Sequence, residues 1–443
     1  MRVLVLVDGE HYPSVTRWGI EAARGRGYEV LAAVFLGGTE KVDPSALPDL
    51  GLPTLLARAD IVTALADALD SVRPDAVLDL SDEPVVGYRE RMQLAAVSLV
   101  RGIPYLGPDF RLDPPISGRP LPRPTVAVIG TGKRTGKTAI GGEVARVAAA
   151  TGRNPVVVAM GRGGPREPQV APAGTVTLDR LLDLVRRGEH AASDYLEDAL
   201  TSGVTTIGAR RAGGGMAGAP FASNVREAAD LAVGLGAGLV VLEGSGSAVP
   251  PVPWDAGILA VPASTPPEYL GGYLGPYRLL LSDLVMLTIG GSPDTGPENL
   301  LALTSHVQRI RGDARVVVTD LQPVPLGDVR GKEAFFTTTA PKAVAAKQVA
   351  SLQADFGCTV VGWSARLADR SGLMEDLEKA EAYEVLLTEL KAAAVDVACE
   401  RALERGAEVV FVDNRPLAVD GETDLTNLLT ETMDLAVRRH EAR

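Results

Sequence analysis

The chain has 443 residues, of which 46% are hydrophobic and 23% charged; 44 basic and 56 acidic side chains give a net charge of −12. That balance excludes a broad nucleic-acid surface, which would carry a basic footprint, and at first sight it disfavours a polyanionic small molecule. Two cysteines and four scattered histidines exclude a disulfide framework and a Cys- or His-rich zinc site.

The elements follow in chain order. MRVLVLV is an apolar strand over residues 3–7, too short for a secretory signal core and without a small-residue cleavage site. No later apolar run approaches the ~20 residues that span a bilayer, so a cytoplasmic protein with no membrane partner is expected. Helices at 15–26, 61–71 and 88–101 alternate with strands at 29–36 and 76–80. Such alternation implies βαβ units and a parallel sheet. Residues 108–124 then hold six prolines, which interrupt both helix and ladder. The boundary is placed near Gly118, giving a smaller open α/β domain over 1–118.

From Thr125 the alternation resumes. Strands are expected at 125–129, 155–160, 238–242, 258–261, 284–289, 315–319, 334–338, 359–363 and 408–412, with helices at 137–150, 224–235 and 425–438. The fold class is α/β: a doubly wound, mostly parallel sheet of P-loop NTPase type over 119–443, preceded by the smaller domain.

The strongest local signal is TVAVIGTGKRTGKT at 125–138. A strand leads into Gly130, Thr131, Gly132, Lys133, Arg134, Thr135 and Gly136, and Lys137-Thr138 opens a helix. Such a turn aims backbone N–H groups at phosphates, and the helix N-terminus adds its dipole. Lys137 is expected on the β- and γ-phosphates of ATP and Thr138 on Mg²⁺. Lys133 and Arg134 are further candidates for contact with γ-phosphate or an anionic substrate; the alternative is solvated surface charge. The spacing, G-x5-G-K-T, is one residue longer than the usual motif and resembles dethiobiotin synthetase.

Val240–Gly246 is an apolar strand that ends in Glu243-Gly244-Ser245-Gly246. A carboxylate at a strand end beside a nucleotide can serve a metal, and Glu243 takes that role here. Arg162, Gly163 and Arg166 follow the strand that comes after the loop's helix, and Arg210-Arg211 precede Gly213-Gly214-Gly215. Both groups are candidate clamps for anions, the alternative being flexible surface loops. Asp8, His11 and Tyr12 end the first strand; they either meet the substrate, close over it, or serve only a turn. Lys332, beside Gly331, is a further phosphate candidate.

Taken together, the segments resemble the cyclic 2,3-diphosphoglycerate synthetase family. The residues that carry the likeness are Asp8–Pro13, Gly130–Thr138, Gly161–Pro165, Arg211–Gly218 with Ser223-Asn224-Val225, Glu243–Gly246, GKEAFFTTTAP at 331–341, and Asp413–Pro416. The resemblance implies ATP-dependent closure of 2,3-bisphosphoglycerate to its cyclic phosphoanhydride, with Lys137, Lys133, Arg134 and Glu243 in catalysis. It also implies a homodimer. Residues 331–341 and 413–416 serve either the adenine pocket or the dimer contact.

Two other readings compete. One is a dethiobiotin-synthetase-like ligase or kinase on another small anionic metabolite. The other is a partitioning ATPase, disfavoured because Gly132 stands where its second lysine would be. Charge is finally more local than its average: residues 119–166 carry nine basic side chains against one acid, Glu143. A focused phosphate site fits inside an otherwise acidic protein.

Overall fold

The computed structural model describes residues 1–43, 47–56, 60–289, 296–419 and 424–443. Two sheets organise it. The first orders its strands Thr54–Leu56, Glu29–Phe35, Arg2–Val7, Ala76–Asp79, Tyr105–Leu106 and Arg111–Leu112. All pairs are parallel except the last. Apolar clusters cover both faces, so these strands read as continuous Val/Leu runs.

The second sheet centres on Thr125–Gly130. Its neighbours are Leu239–Glu243 on one side and Ala256–Pro262 on the other, both parallel to it. Beyond Leu239–Glu243 lie Pro155–Gly161 and Thr206–Ala212; beyond Ala256–Pro262 lie Leu284–Ile289 and Arg315–Pro325. The chain leaves Thr125–Gly130, crosses over its neighbour to Pro155–Gly161, and later returns to the other side. A crevice opens at such a reversal, beyond the strand C-termini.

Arg315–Pro325 and Glu408–Ala418 pair antiparallel from Thr319↔Ala418 to Pro325↔Val412. That joint continues the sheet into Val385–Thr388, Glu333–Thr337 and Thr359–Ser364. Both joint strands run past their expected ends at 319 and 412, through prolines that a local pattern reads as breakers. Thr206–Ala212 and Val385–Thr388 were not expected as strands. Val385–Thr388 is short, and Thr206–Ala212 carries the adjacent arginines that suggest a loop.

The first domain docks through Tyr88–Val100, which packs on the short helix Gly275–Leu280. Ala217, Leu274 and Tyr277 are buried in that domain's own core cluster. The helix Asp194–Ser202 is also a connector. Leu196 and Ala199 pack with Phe335, Leu386 and Val395 of the C-terminal part.

Candidate functional site

The loop 131–136 runs from the fully buried strand Thr125–Gly130 into the helix Lys137–Ala150. Gly136, at φ +87°, turns the chain into the helix in a region that favours glycine. Lys137 is folded back over the loop: its Nζ donates to Gly132 O at 2.6 Å and to Thr135 Oγ1 at 3.1 Å. Burial lowers its pKa to about 8; Glu243 and Asp194 pull it up, while Arg211 and Arg278 push it down. Thr138 is half-buried, and Lys133 and Arg134 are exposed at the loop's outer side.

Glu243 ends the neighbouring strand, and its Oε1 is buried with no partner. It lies against the loop's helix so closely that a Cβ on Gly141 would overlap Oε1. Glycine inside a helix costs about 0.5–1 kcal/mol relative to alanine; here the close approach requires it. Burial and the nearby Asp194 raise the Glu243 pKa to about 8.

The helix Asp194–Ser202 supplies the surroundings that sequence reasoning missed. Asp194, Glu197 and Asp198 share one face at i, i+3 and i+4. Asp198 is fully buried against Glu243, and neither of its carboxylate oxygens accepts from an N–H or hydroxyl. Burial first, and then Glu243, hold its pKa well above the ordinary value. Burial also raises Asp194, with Lys391, Lys137 and Arg162 acting against it, and raises Glu197 to about 7. Lys391 Nζ stands 3.1 Å from Glu197 Oε1.

Behind Lys391 lies Glu389. It accepts from Thr338 Oγ1 at 2.9 Å, Thr339 N and Oγ1 at 3.0 Å and Asn414 Nδ2 at 2.8 Å. Burial alone would raise this carboxyl, but Lys391 and those hydrogen bonds bring it below its usual value. Thr338, Thr339 and Asn414 thus meet around one acid. Asp413 turns to the loop's helix, accepting from Arg146 Nη1 at 2.8 Å.

The arginines separate. Arg162 and Arg166 are exposed on the turn after Pro155–Gly161. A cavity of ≈ 50 Å³ beside that turn is lined by Gly161, Gly163, Gly164, Ser193, Asp194 and Tyr195, among others. Arg210 and Arg211 are neighbours in a strand, so they face opposite sides. Arg210 is exposed; its Nε donates to Gly164 O at 2.8 Å and braces the turn rather than joining Arg211 in a clamp. Arg211 is buried, and its Nη2 donates to Ser245 O at 2.9 Å.

Three expectations meet a different local geometry. Arg210 does not converge with Arg211, for the reason just given. Lys332 pairs with Glu408 at 2.5 Å, at the N-terminal end of Glu333–Thr337. The threonines that lead to the site lie at that strand's other end, five residues on, or about 16 Å away at ~3.3 Å per residue. The basic segment around the loop is also partly neutralised: Arg146 pairs with Glu143 and Asp413, and Arg153 with Asp434.

Asp8 is buried and fully engaged. Its Oδ1 accepts from Glu10 N, His11 N and His11 Nδ1 at 2.9–3.2 Å, and its Oδ2 from Asp82 N at 2.6 Å. His11 is half-exposed and Tyr12 exposed, with Lys41 Nζ 5.5 Å from the Tyr12 ring centre. Among the described residues, no hydrogen bond or ion pair joins these three to the phosphate loop.

Comparison with known proteins matches three segments of the chain. Residues 2–113, 125–320 and 325–415 match the N-terminal, P-loop and C-terminal domains of cyclic 2,3-diphosphoglycerate synthetase. The synthetase of that name from Rubrobacter xylanophilus is 48% identical over 421 residues, 94% of this chain and 95% of its own. That of Methanothermus fervidus is 40% identical over 98% of this chain and 97% of its own. That of Thermococcus kodakarensis is 43% identical over 95% and 96%.

Proposed function

The chain belongs to the cyclic 2,3-diphosphoglycerate synthetase family, and on that premise we propose that it is an ATP-dependent ligase that closes 2,3-bisphosphoglycerate into its cyclic phosphoanhydride. ADP and inorganic phosphate are the other products. The observation that carries this reading is a glycine-rich phosphate loop with Lys137 folded over it, beside a turn held by the buried Arg211 and Arg278. One phosphate donor needs the loop; a second, doubly phosphorylated molecule needs the added cations.

The γ-phosphorus of ATP bonds to an oxygen of one substrate phosphate as its bond to the ADP oxygen breaks. An oxygen of the second substrate phosphate then attacks the phosphorus of the first. The ring P–O–P bond forms, and the former γ-phosphate leaves as inorganic phosphate. Lys137 follows the charge on the transferring group. Lys133 and Arg134 at the loop's outer side meet the γ-phosphate or the substrate, and Arg162, Gly163, Arg166 and Arg211 hold the two substrate phosphates as neighbours. Phosphate oxygens are ionised at neutral pH, so no strong general base is needed. His11 and Tyr12 contact the carboxylate or close over it.

Mg²⁺ fits the donors present. Glu243 Oε1 is buried and unpartnered, and Thr138 is half-buried at the helix start. Among the described residues no group of three or more His, Cys, Asp or Glu is placed to hold a metal. Mg²⁺ commonly takes one or two protein oxygens and completes its shell with phosphates and water. When bound it would neutralise phosphate charge. The reading includes a homodimer in the cytoplasm, tested by light scattering on the purified protein and by localisation of a tagged chain.

The decisive assay mixes the protein with Mg·ATP and 2,3-bisphosphoglycerate and follows ³¹P NMR. Phosphoanhydride signals should appear in step with ADP. Absence of substrate-dependent ADP release would overturn the reading.

A further inference from the structure

Lys137 and two arginines, Arg211 and Arg278, are buried, and among the described residues none of the three has a carboxylate ion-pair partner within 4 Å. Arg211 is 9% exposed and Arg278 6%. Arg211 donates from Nη1 to Gly213 O at 2.5 Å and from Nη2 to Ser245 O at 2.9 Å. Arg278 donates from Nη1 to Leu274 O at 3.2 Å and from Nη2 to Ser247 O at 2.7 Å. Each guanidinium has five N–H donors, and the Nε of each is buried with no acceptor. A desolvated cation held only by backbone carbonyls is costly, and an incoming anion relieves that cost.

The two arginines grip one feature from two sides. Ser245 and Ser247 belong to the turn that follows Glu243, closed by Ser245 N–Ala248 O and Ala248 N–Ser245 O hydrogen bonds. Arg211 comes from the strand Thr206–Ala212, and Arg278 from the helix Gly275–Leu280. The cover above Arg211, Gly213–Gly215, is exposed and has no side chains to exclude a ligand. The turn after Glu243 lies against the end of the loop's own strand, where Gly244 N donates to Val128 O at 2.9 Å, so the two arginines that hold it stand beside the phosphate loop.

We propose that Arg278, with Arg211, forms a binding subsite for a substrate phosphate next to Lys137, so that the turn Gly244–Ser247 serves both the nucleotide side, through Glu243, and the substrate side. This rests on the function proposed above. It also gives the first domain a task. Tyr88–Val100 packs on the helix that carries Arg278, so docking of that domain sets where the guanidinium stands. The ligand class is a phosphomonoester dianion, matched to a fork of paired donors.

The test uses the full-length enzyme and calorimetric titration with 2,3-bisphosphoglycerate and, separately, with ADP, together with steady-state kinetics. Loss of charged hydrogen bonds predicts that Arg278→Gln weakens 2,3-bisphosphoglycerate about 10- to 100-fold and raises its KM alike, with ADP affinity unchanged. Arg278→Lys keeps the charge and loses the fork, so it should fall between. If Arg278→Gln does not fold, Arg278→Lys alone decides: a raised bisphosphoglycerate KM at unchanged ATP KM supports the subsite. Wild-type affinity and KM in either folded variant would overturn it, as would equal losses for both ligands, which mark a merely structural arginine. Failure of the wild type itself to bind or turn over 2,3-bisphosphoglycerate overturns the function and the subsite together.

Discussion

Both sheets end their strands in buried acids, and the two edges treat them oppositely. In the first domain, Asp79 accepts from Tyr105 OH at 2.7 Å, Arg91 Nε at 2.8 Å and Ser81 N at 2.9 Å. Asp8 beside it is equally engaged. In the second sheet, Glu243 and the Asp198 beside it are buried facing each other, and Glu243 Oε1 and both Asp198 oxygens accept from no N–H or hydroxyl. A satisfied buried acid holds loops in place; an unsatisfied one is costly until a cation or proton arrives. The contrast separates a braced edge from one whose buried acids still lack a donor.

The largest expected effects divide along that line. Lys137→Ala should lower turnover about 10³-fold or more by removing the donor that follows the transferring phosphoryl group. It should leave thermal stability intact or raised, because burial disfavours the ammonium in the resting fold. Asp79→Ala should do the reverse. Breaking a buried ion pair costs about 3 kcal/mol, so melting temperature falls, while kcat of the folded fraction stays near wild type. Turnover and calorimetric melting of both variants would break the comparison if either result crossed over.

A smaller, graded test uses pH. Glu197 is raised to about 7 and Glu243 to about 8, and Asp194 and Asp198 are raised as well. The unfolded chain loses these protons at the ordinary values, 3.8 for Asp and 4.5 for Glu, while the folded one keeps them. Stability is therefore full below those values and is lost as pH climbs through about 7 to 8. Lys137, lowered to about 8, acts only above that pH, and Glu389, held below its usual value, only at the acid end. Ligand-free protein should melt progressively lower from pH 5 to 8, and Glu243→Gln should flatten the slope. A flat wild-type profile would mean the carboxylates are already neutralised by something else.

What was legible in the sequence follows from the range of each interaction. The phosphate loop and the helix at 137–150 are written in consecutive residues, so strand, glycines and lysine announce them together. Glu243 could be read because it ends an apolar run. The acidic helix was missed although Asp194, Glu197 and Asp198 carry the i, i+3, i+4 spacing; an acidic helix face ordinarily means solvent, and only the tertiary fold buries this one. Arg278 gives no local signal at all, since a single arginine in GPYRLL becomes a buried cation through contacts with residues some 30 positions away. The opposite faces of Arg210 and Arg211 required knowing that they lie in a strand.

Lys332 should show the smallest effect, and it sharpens the comparison because a glycine-flanked lysine looks like a phosphate ligand. Its Nζ meets Glu408 at the N-terminal ends of two parallel strands, and ligands in such sheets gather at the C-terminal ends. The site-facing end of Glu333–Thr337 is instead occupied by threonines bound to Glu389. An exposed ion pair of this kind is worth little. Lys332→Ala should leave kcat and both KM values as in wild type, and a several-fold rise in the bisphosphoglycerate KM would mean that substrate reaches the far edge of the sheet.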